Sequence, residues 1–293
     1  MQISAAAVKE LRERSGAGMM ECKNALVATN GDLEAGLEYL RKSGAAKAAK
    51  KAGRIAAEGA VVVAESAGFA CVIEINSETD FAANDENFTQ FATAVAKTVL
   101  DARPADVAAL VALPLAGANE SVESARQQLI LKIGENISIR RFDVRLAGGG
   151  VIGAYRHGKR IGVLVTLEGG DAELAKEIAM HVAASNPMCI TDAEVPAELL
   201  AKEREIRVAQ AATSGKSPEI IEKMITGQLR KFVGEISLLG QPFVKDPDTS
   251  VGKLLTARKA RATGFVRYEV GEGIEKKTVD FAEEVKAQAR AAD

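Results

Sequence analysis

The sequence predicts an α+β fold whose core is a duplicated β-β-α-α-β unit with antiparallel sheets. Residues 59–75 and 150–167 each contain two apolar runs joined by a glycine turn, which is the pattern of a β-hairpin. Each hairpin pattern is followed by a segment with helical periodicity. Farther on, residues 129–139 and 229–239 resemble each other, and a third strand pattern closes each half. The same order of elements therefore occurs twice, which indicates an internal repeat.

Length and composition exclude several classes of protein. The chain has 293 residues, of which 47% are hydrophobic, so disorder throughout the chain is excluded. No run approaches the ~20 apolar residues that span a bilayer, and charges stand where a signal peptide needs its apolar segment. The 38 Lys and Arg nearly balance the 40 Asp and Glu, which argues against a dedicated nucleic-acid binder. Three cysteines without a C-x-x-C pair and two histidines argue against a zinc site, and we expect a cytoplasmic protein.

Residues 1–45 are predicted to form a module of three short helices. Ser4 can cap a first helix, which ends at the small residues 15–18. The second helix covers 19–29, and Asp32 can cap the third. Three amphipathic helices in so few residues predict a bundle with a small core.

Met19 and Met20 stand side by side at the start of the second predicted helix. Adjacent positions on a helix face about 100° apart, so a small bundle cannot bury both side chains. We expect one of the two to face outward as an adaptable apolar contact, with core packing as the alternative.

A basic segment, residues 46–58, follows the three-helix module and carries Lys47, Lys50, Lys51 and Arg54 among alanines. The pattern is typical of a solvated helical linker between domains. Binding of phosphate or of an acidic partner is the alternative. On that interpretation the protein would be an RNA-associated or ribosome-associated module.

The remaining domains follow from the repeat. We expect a first core subdomain at 59–148 and a second at 149–275, with third strands near the end of each. Two strongly helical stretches joined by a polar turn predict an antiparallel helical hairpin, inserted at about 195–231. Residues 276–293 read as a C-terminal helical module.

Motifs for catalysis are not found. Residues 153–159 match GxxxxGK, but Arg160 replaces the Ser or Thr of a phosphate loop, and the match lies in a predicted hairpin turn rather than between a strand and a helix. His181 is expected to be structural, and His157 is expected to be an exposed contact residue, because neither has a nucleophile motif around it. These observations favour an interaction protein over an enzyme.

The segment between the first hairpin and its helix, residues 76–85, is longer than its counterpart in the second half. Phe81 stands there among polar neighbours, next to Asp80. An aromatic residue in such a loop either packs back into its own core or projects as an anchor for a partner. The residues alone leave both possibilities open.

Six segments resemble motifs of the bacterial translation elongation factor Ts family, in that family's order: ELRERSGAGMMECKNAL at 10–26, EINSETDF at 74–81, KIGENI at 132–137, HVAAS at 181–185, GQPF at 240–243 and VGEGIE at 270–275. The resemblance implies a ubiquitin-associated-like N-terminal module, a two-part core, a protruding coiled coil and a C-terminal module. It also implies guanine-nucleotide exchange on elongation factor Tu, without a cofactor and without direct binding of nucleotide.

By this resemblance, the residues that disturb the partner's magnesium and phosphate site are Thr79, Asp80, Phe81 and Ala82, the last departing from the family's Val. Further partner contacts are implied at Arg12, Met19, Met20, Lys23, Ile133, Gly134 and His157. For Cys22, Cys71 and Cys189 we expect only the role of small buried apolar side chains.

Overall fold

A computed structural model describes residues 3–211 and 217–275. The predicted C-terminal module at 276–293 lies outside the described residues, as does most of the turn predicted within the helical hairpin. In the described part of the chain, runs of α-helices are combined with two three-stranded antiparallel sheets, which confirms the α+β class.

The N-terminal module consists of α1 (Ala5–Ser15), α2 (Met19–Ala28) and α3 (Leu33–Lys51). Ser4 and Asp32 cap α1 and α3 as predicted, because each side chain accepts a hydrogen bond from a free backbone N–H. However, α3 continues through residue 45, so the predicted boundary between the module and the basic segment falls inside one helix. Leu131 from the core completes the module's small hydrophobic cluster.

The first half of the core contains β1 (Glu58–Ser66), β2 (Phe69–Ser77), α4 (Asp80–Asn84), α5 (Glu86–Ala102), α6 (Val107–Ala112), α7 (Val122–Ile133) and β3 (Ile137–Leu146). The strands form one antiparallel sheet in the order β1-β2-β3. Helices α5 and α7 cover one face of this sheet and bury Phe88, Val95 and Ile130 against it. The short helices α4 and α6 were not predicted.

The second half contains β4 (Val151–His157), β5 (Ile161–Gly169), α8 (Ala172–Ser185), a 3₁₀ turn (Asp192–Glu194), α9 (Ala197–Ala211), α10 (Pro218–Ile236), β6 (Pro242–Phe243), β7 (Asp246–Ser250), α11 (Val251–Ala257) and β8 (Ala260–Glu269). Its sheet has the order β4-β5-β8, so both halves repeat the same three-stranded arrangement. The small hairpin β6-β7 and helix α11 are additions that the sequence pattern did not predict.

The two sheets face each other across a separate apolar cluster. Val61 and Val72 of the first sheet pack there with Leu164 and Val270 of the second half. At Gly162 a methyl group would come within 2.4 Å of the Val61 side chain. A glycine at this position therefore allows the two halves to approach each other closely.

Helices α9 and α10 pack against each other as the predicted antiparallel hairpin, and Arg204 of α9 donates to Glu222 of α10 at 2.7 Å. Of the apolar residues spaced along the two helices, Ile206 and Ile220 are exposed, whereas Leu199, Leu200 and Ile221 are half-buried. Ile225 is the hairpin side chain that is fully buried among the described residues of α10. The structure therefore confirms the two helices, and it buries only part of the apolar residues along them.

A buried carboxylate joins the two halves near the end of the described chain. Glu74 of β2 is fully buried and accepts hydrogen bonds from Arg141 at 2.7 Å, from Arg140 at 3.0 Å and from the backbone N–H of Gly271 at 2.8 Å. A β-bulge in β3 brings both arginines opposite this one residue. Burial alone would raise the pKa of Glu74, but the hydrogen bonds from Gly271, Asn76 and the two arginines hold the pKa below its ordinary value.

His181 on α8 is structural, as predicted. It is fully buried, its Nε2 lies 2.9 Å from Oε1 of Gln241, and its Nδ1 accepts from the backbone N–H of Val244 at 3.2 Å. Because Nδ1 is an acceptor, Nε2 carries the proton and the ring is neutral. Burial lowers the pKa of His181 below its ordinary value, although the hydrogen bond with Gln241 opposes this.

The three cysteines are buried and form no disulfide, in agreement with their expected role. Burial raises the pKa of the Cys71 thiol to about 11. Within residues 3–211 and 217–275, no helix has the length and apolar character needed to cross a membrane.

Candidate partner-binding site

The segment predicted as a loop around Phe81 is in fact a short helix. Strand β2 ends at Ser77, Thr79 caps the next turn by accepting from the backbone N–H of Ala82 at 3.2 Å, and α4 follows. The Phe81 ring is 84% exposed. The sequence left open whether Phe81 packs into its own core or projects from it, and in the structure it projects into solvent.

The direction of the Phe81 ring follows from its neighbours on α4. Ala82 and Ala83 are both 4% exposed and lie against the first sheet, where α4 contacts β1 and β2. Successive helical positions face about 100° apart, so a helix that buries these two alanines turns Phe81 toward solvent. Asp80 is exposed beside the ring. Ala82 itself faces its own chain and does not form part of the exposed surface.

A carboxylate that follows α7 in the chain holds the first turn of α4. Glu135 accepts from the backbone N–H of Thr79 at 3.0 Å through Oε2 and from the Thr79 hydroxyl at 2.6 Å through Oε1. Gly134 ends α7 in the left-handed region at φ 87°, and this reversal directs the chain toward α4. The sequence reasoning named Ile133 and Gly134 but missed Glu135, although it stands next to them in the KIGENI segment.

An ammonium group from the second half holds the other end of α4. Lys159, in the turn between β4 and β5, donates to Oδ1 of Asn84 at 2.8 Å and lies 3.4 Å from the Ala83 carbonyl oxygen. The turn is tied to the first sheet as well, since the Lys159 carbonyl accepts from the N–H of Val61 at 2.8 Å. The GxxxxGK match at 153–159 thus runs along a strand into a hairpin turn, in agreement with its rejection as a phosphate loop.

His157 ends β4 and is exposed, as expected. Its Nδ1 lies 3.1 Å from the Tyr155 hydroxyl. Both side chains border a cleft of about 480 Å³ whose walls include Met180 and Val244. His157 lies two residues before Lys159, the turn residue whose ammonium group contacts α4.

The two methionines of α2 are both exposed, Met19 to 57% and Met20 to 64%, which confirms that the small bundle does not bury both and shows that neither packs in its core. The small core of the module is already filled from α2 by Cys22 and Leu26, together with Ala25. Met19 and Met20 therefore remain on the surface of the module, which also exposes Arg12 and Lys23.

The cations of the basic segment are largely engaged within the chain. Lys47 pairs with Glu21 of α2, Lys51 donates to the carbonyl oxygen of Gly134, and Arg54 lies 3.5 Å from Glu78. Their charge is therefore partly used to join the N-terminal module to the core. Lys50 is exposed, and the alternative in which the segment binds RNA stays a prediction.

Comparison with known proteins identifies the family of the whole chain. The family model described as Elongation factor TS matches residues 78–272, a range that begins just before Thr79. The Elongation factor Ts of Thioalkalivibrio sulfidiphilus is 63% identical over 295 residues and covers 100% of both chains. Those of Alkalilimnicola ehrlichii and Legionella pneumophila (strain Paris) are 54% and 57% identical, covering 99% and 98% of this chain and 99% of each relative. A match of this extent to a family of translation elongation factors leaves one assignment: the chain belongs to the elongation factor Ts family.

Proposed function

We propose that the chain accelerates release of GDP from elongation factor Tu, so that GTP can bind in its place, and that Phe81 is the group that causes release. The single observation that carries this proposal is an aromatic ring 84% exposed at the surface of a helix whose other face is packed. Leaving such a ring in water has a cost, and the usual compensation is burial against a partner.

Release needs no contact with the nucleotide. A GTPase holds GDP through phosphate-loop amides, a lysine and a magnesium ion, and this electrostatic stabilisation depends strongly on position. An aromatic side chain inserted between the helices that support these groups would shift them by about 1 Å, which is enough to lose a large part of the binding energy. Asp80 would lie beside the inserted ring, and Ile133 and Gly134 would support it.

Thermodynamic linkage sets the order of affinities. If this chain weakens the hold of elongation factor Tu on GDP, GDP must weaken the hold of elongation factor Tu on this chain by the same factor. Each tenfold effect corresponds to about 1.4 kcal/mol. The chain should therefore bind the nucleotide-free partner more tightly than the GDP-bound one. Met19, Met20, Arg12, Lys23 and His157 would contribute binding common to both states.

Stopped-flow release of fluorescent GDP from elongation factor Tu tests the proposal directly. The wild-type chain should accelerate release at micromolar concentrations, and Phe81→Ala should lower the maximal rate roughly 30-fold, as expected for an aromatic hot spot worth about 2 kcal/mol. Leu146→Ala is the matched control, because Leu146 is also exposed but lies at the opposite end of the first sheet from α4.

The free energy of unfolding of Phe81→Ala shows whether the ring lies on the surface or belongs to the core. Because the ring is exposed, its removal should change the free energy of unfolding by less than about 1 kcal/mol. Failure of the wild-type chain to accelerate GDP release would refute the proposed function. Normal release with Phe81→Ala would refute the role of the ring.

A further inference from the structure

Helix α4 is too short to hold its own conformation. It spans five residues, Asp80–Asn84, whereas isolated helices in water need about 12–15 residues to be even marginally stable. Ala82 and Ala83 bury little apolar surface, so packing alone stabilises the helix weakly. Something else must keep Phe81 in its outward position while no partner is bound.

At the first turn of α4, Glu135 supplies hydrogen-bond acceptors for Thr79. Its two carboxylate oxygens accept from both donors of Thr79, the backbone N–H and the hydroxyl, while the same hydroxyl accepts from Ala82. A glutamine at residue 135 would have one oxygen and one NH₂ group. It could accept from one donor of Thr79 only and would point a donor at the other.

At the last turn of α4, Lys159 supplies a hydrogen-bond donor. Its ammonium group reaches the Asn84 side chain and the Ala83 carbonyl, which has no partner further along so short a helix. The signs of the two charges suit the two ends, because free N–H groups favour an anion and free carbonyls favour a cation. The anion comes from the first half of the core and the cation from the second.

We propose that Glu135 and Lys159 are positioning residues that hold α4 at its two ends and so present Phe81 before the partner arrives. Neither residue touches the partner in this scheme; both act through α4. The proposal rests on the proposed function of Phe81 and adds to it how the ring is held ready. Lys159 is the lysine of the GxxxxGK match at 153–159, so the proposal assigns a role to this residue other than phosphate binding.

This arrangement makes a distinct kinetic prediction. When the binding-competent conformation is only a fraction of the population, the apparent affinity falls by that fraction, while the bound complex is unchanged. Loss of an end contact should therefore raise the concentration of the chain that gives half-maximal GDP release and leave the maximal rate intact. Loss of the Phe81 ring should do the opposite, because the group that displaces the partner's helices is then missing.

The test compares Glu135→Gln and Lys159→Met with the wild-type chain in the GDP-release assay over a range of concentrations. We expect each to raise the half-maximal concentration about tenfold, equivalent to about 1.4 kcal/mol, with the maximal rate within about twofold of wild type. Glu123→Gln and Lys97→Met are the matched controls, since these charges pair elsewhere on α7 and α5. Both controls should behave as wild type.

Amide hydrogen exchange provides a second measurement that needs no partner. In Glu135→Gln the amides of Thr79, Ala82 and Ala83 should exchange at least about tenfold faster, while amides in β2 and α7 keep their protection. Unchanged exchange in α4 would overturn the proposal, and so would a half-maximal concentration equal to that of wild type. A lower maximal rate for Glu135→Gln at saturation would also overturn it. If the wild-type chain accelerates release and Phe81→Ala does not, while both positioning variants behave as wild type, only this inference fails and the proposed function stands.

Discussion

Replacement of Glu74 by glutamine should destabilise the protein strongly at neutral pH. Glu74 is fully buried and accepts hydrogen bonds from Arg140 and Arg141 of its own half of the core. It also accepts one from the backbone N–H of Gly271 in the other half. Removing one partner of a buried ion pair typically costs about 3–5 kcal/mol. Because Arg140 and Arg141 keep 27% and 31% exposure, water can partly compensate them, and we expect a loss of about 3 kcal/mol.

Equilibrium urea unfolding followed by circular dichroism measures this loss. With a slope of about 3 kcal/mol per molar urea, Glu74→Gln should lower the unfolding midpoint by about 1 M. Glu168→Gln is the control, because Glu168 pairs with Arg261 on the surface, where an ion pair contributes about 0–1 kcal/mol. A difference between Glu74→Gln and wild type below 1 kcal/mol at pH 7 would refute the reasoning.

The pH dependence of the same variant provides an independent check. The pKa of Glu74 is lowered in the folded protein, so the unfolded chain binds more protons in the acid range. The contribution of Glu74 to stability is therefore complete above the ordinary pKa of about 4.5 and is lost as pH falls through the folded value. The stability curves of wild type and Glu74→Gln should converge in acid. Parallel curves down to pH 3 would contradict this assignment.

Two further predictions concern buried groups. Burial raises the pKa of the Cys71 thiol to about 11, so an aromatic disulfide reagent at pH 8 should not modify Cys71 in the native protein. In urea the same thiol should react. Rapid labelling of native Cys71, located by mass spectrometry, would contradict this. Burial lowers the pKa of His181, so its stabilising contribution is complete above about pH 6.5 and is lost as the pH falls below this value. His181→Gln should therefore cost less stability at pH 5 than at pH 7. An NMR titration midpoint of His181 above 6.5 would exclude the neutral buried ring.

The regular elements of the core could be predicted because their signals are local. The alternation of apolar residues in β1 and β5, and the helical period in α5 and α8, arise from residues a few positions apart. The caps at Ser4 and Asp32 are equally local, since each side chain bonds an N–H three residues away. These predictions were correct to within a few residues.

Helix α4 could not be predicted, because its stabilising contacts are distant in sequence. Glu135 is 56 residues from Thr79, and Lys159 is 75 residues from Asn84. The local sequence is polar and carries no amphipathic period, so a loop was the reasonable reading. The two exposed methionines have a related explanation: periodicity shows that a helix has a buried side, but the size of the core it meets decides how many side chains enter it.

The sequence by itself determined the family, the duplicated order of strands and helices, and the fact that an aromatic residue stands among polar ones. Whether Phe81 points inward or outward was decided only by tertiary structure. The reason is that the local sequence supports both conformations of a five-residue segment, whereas the two small alanines that face the sheet and the charges at its two ends favour one of them. Those charges belong to opposite halves of the core, and only folding brings them together.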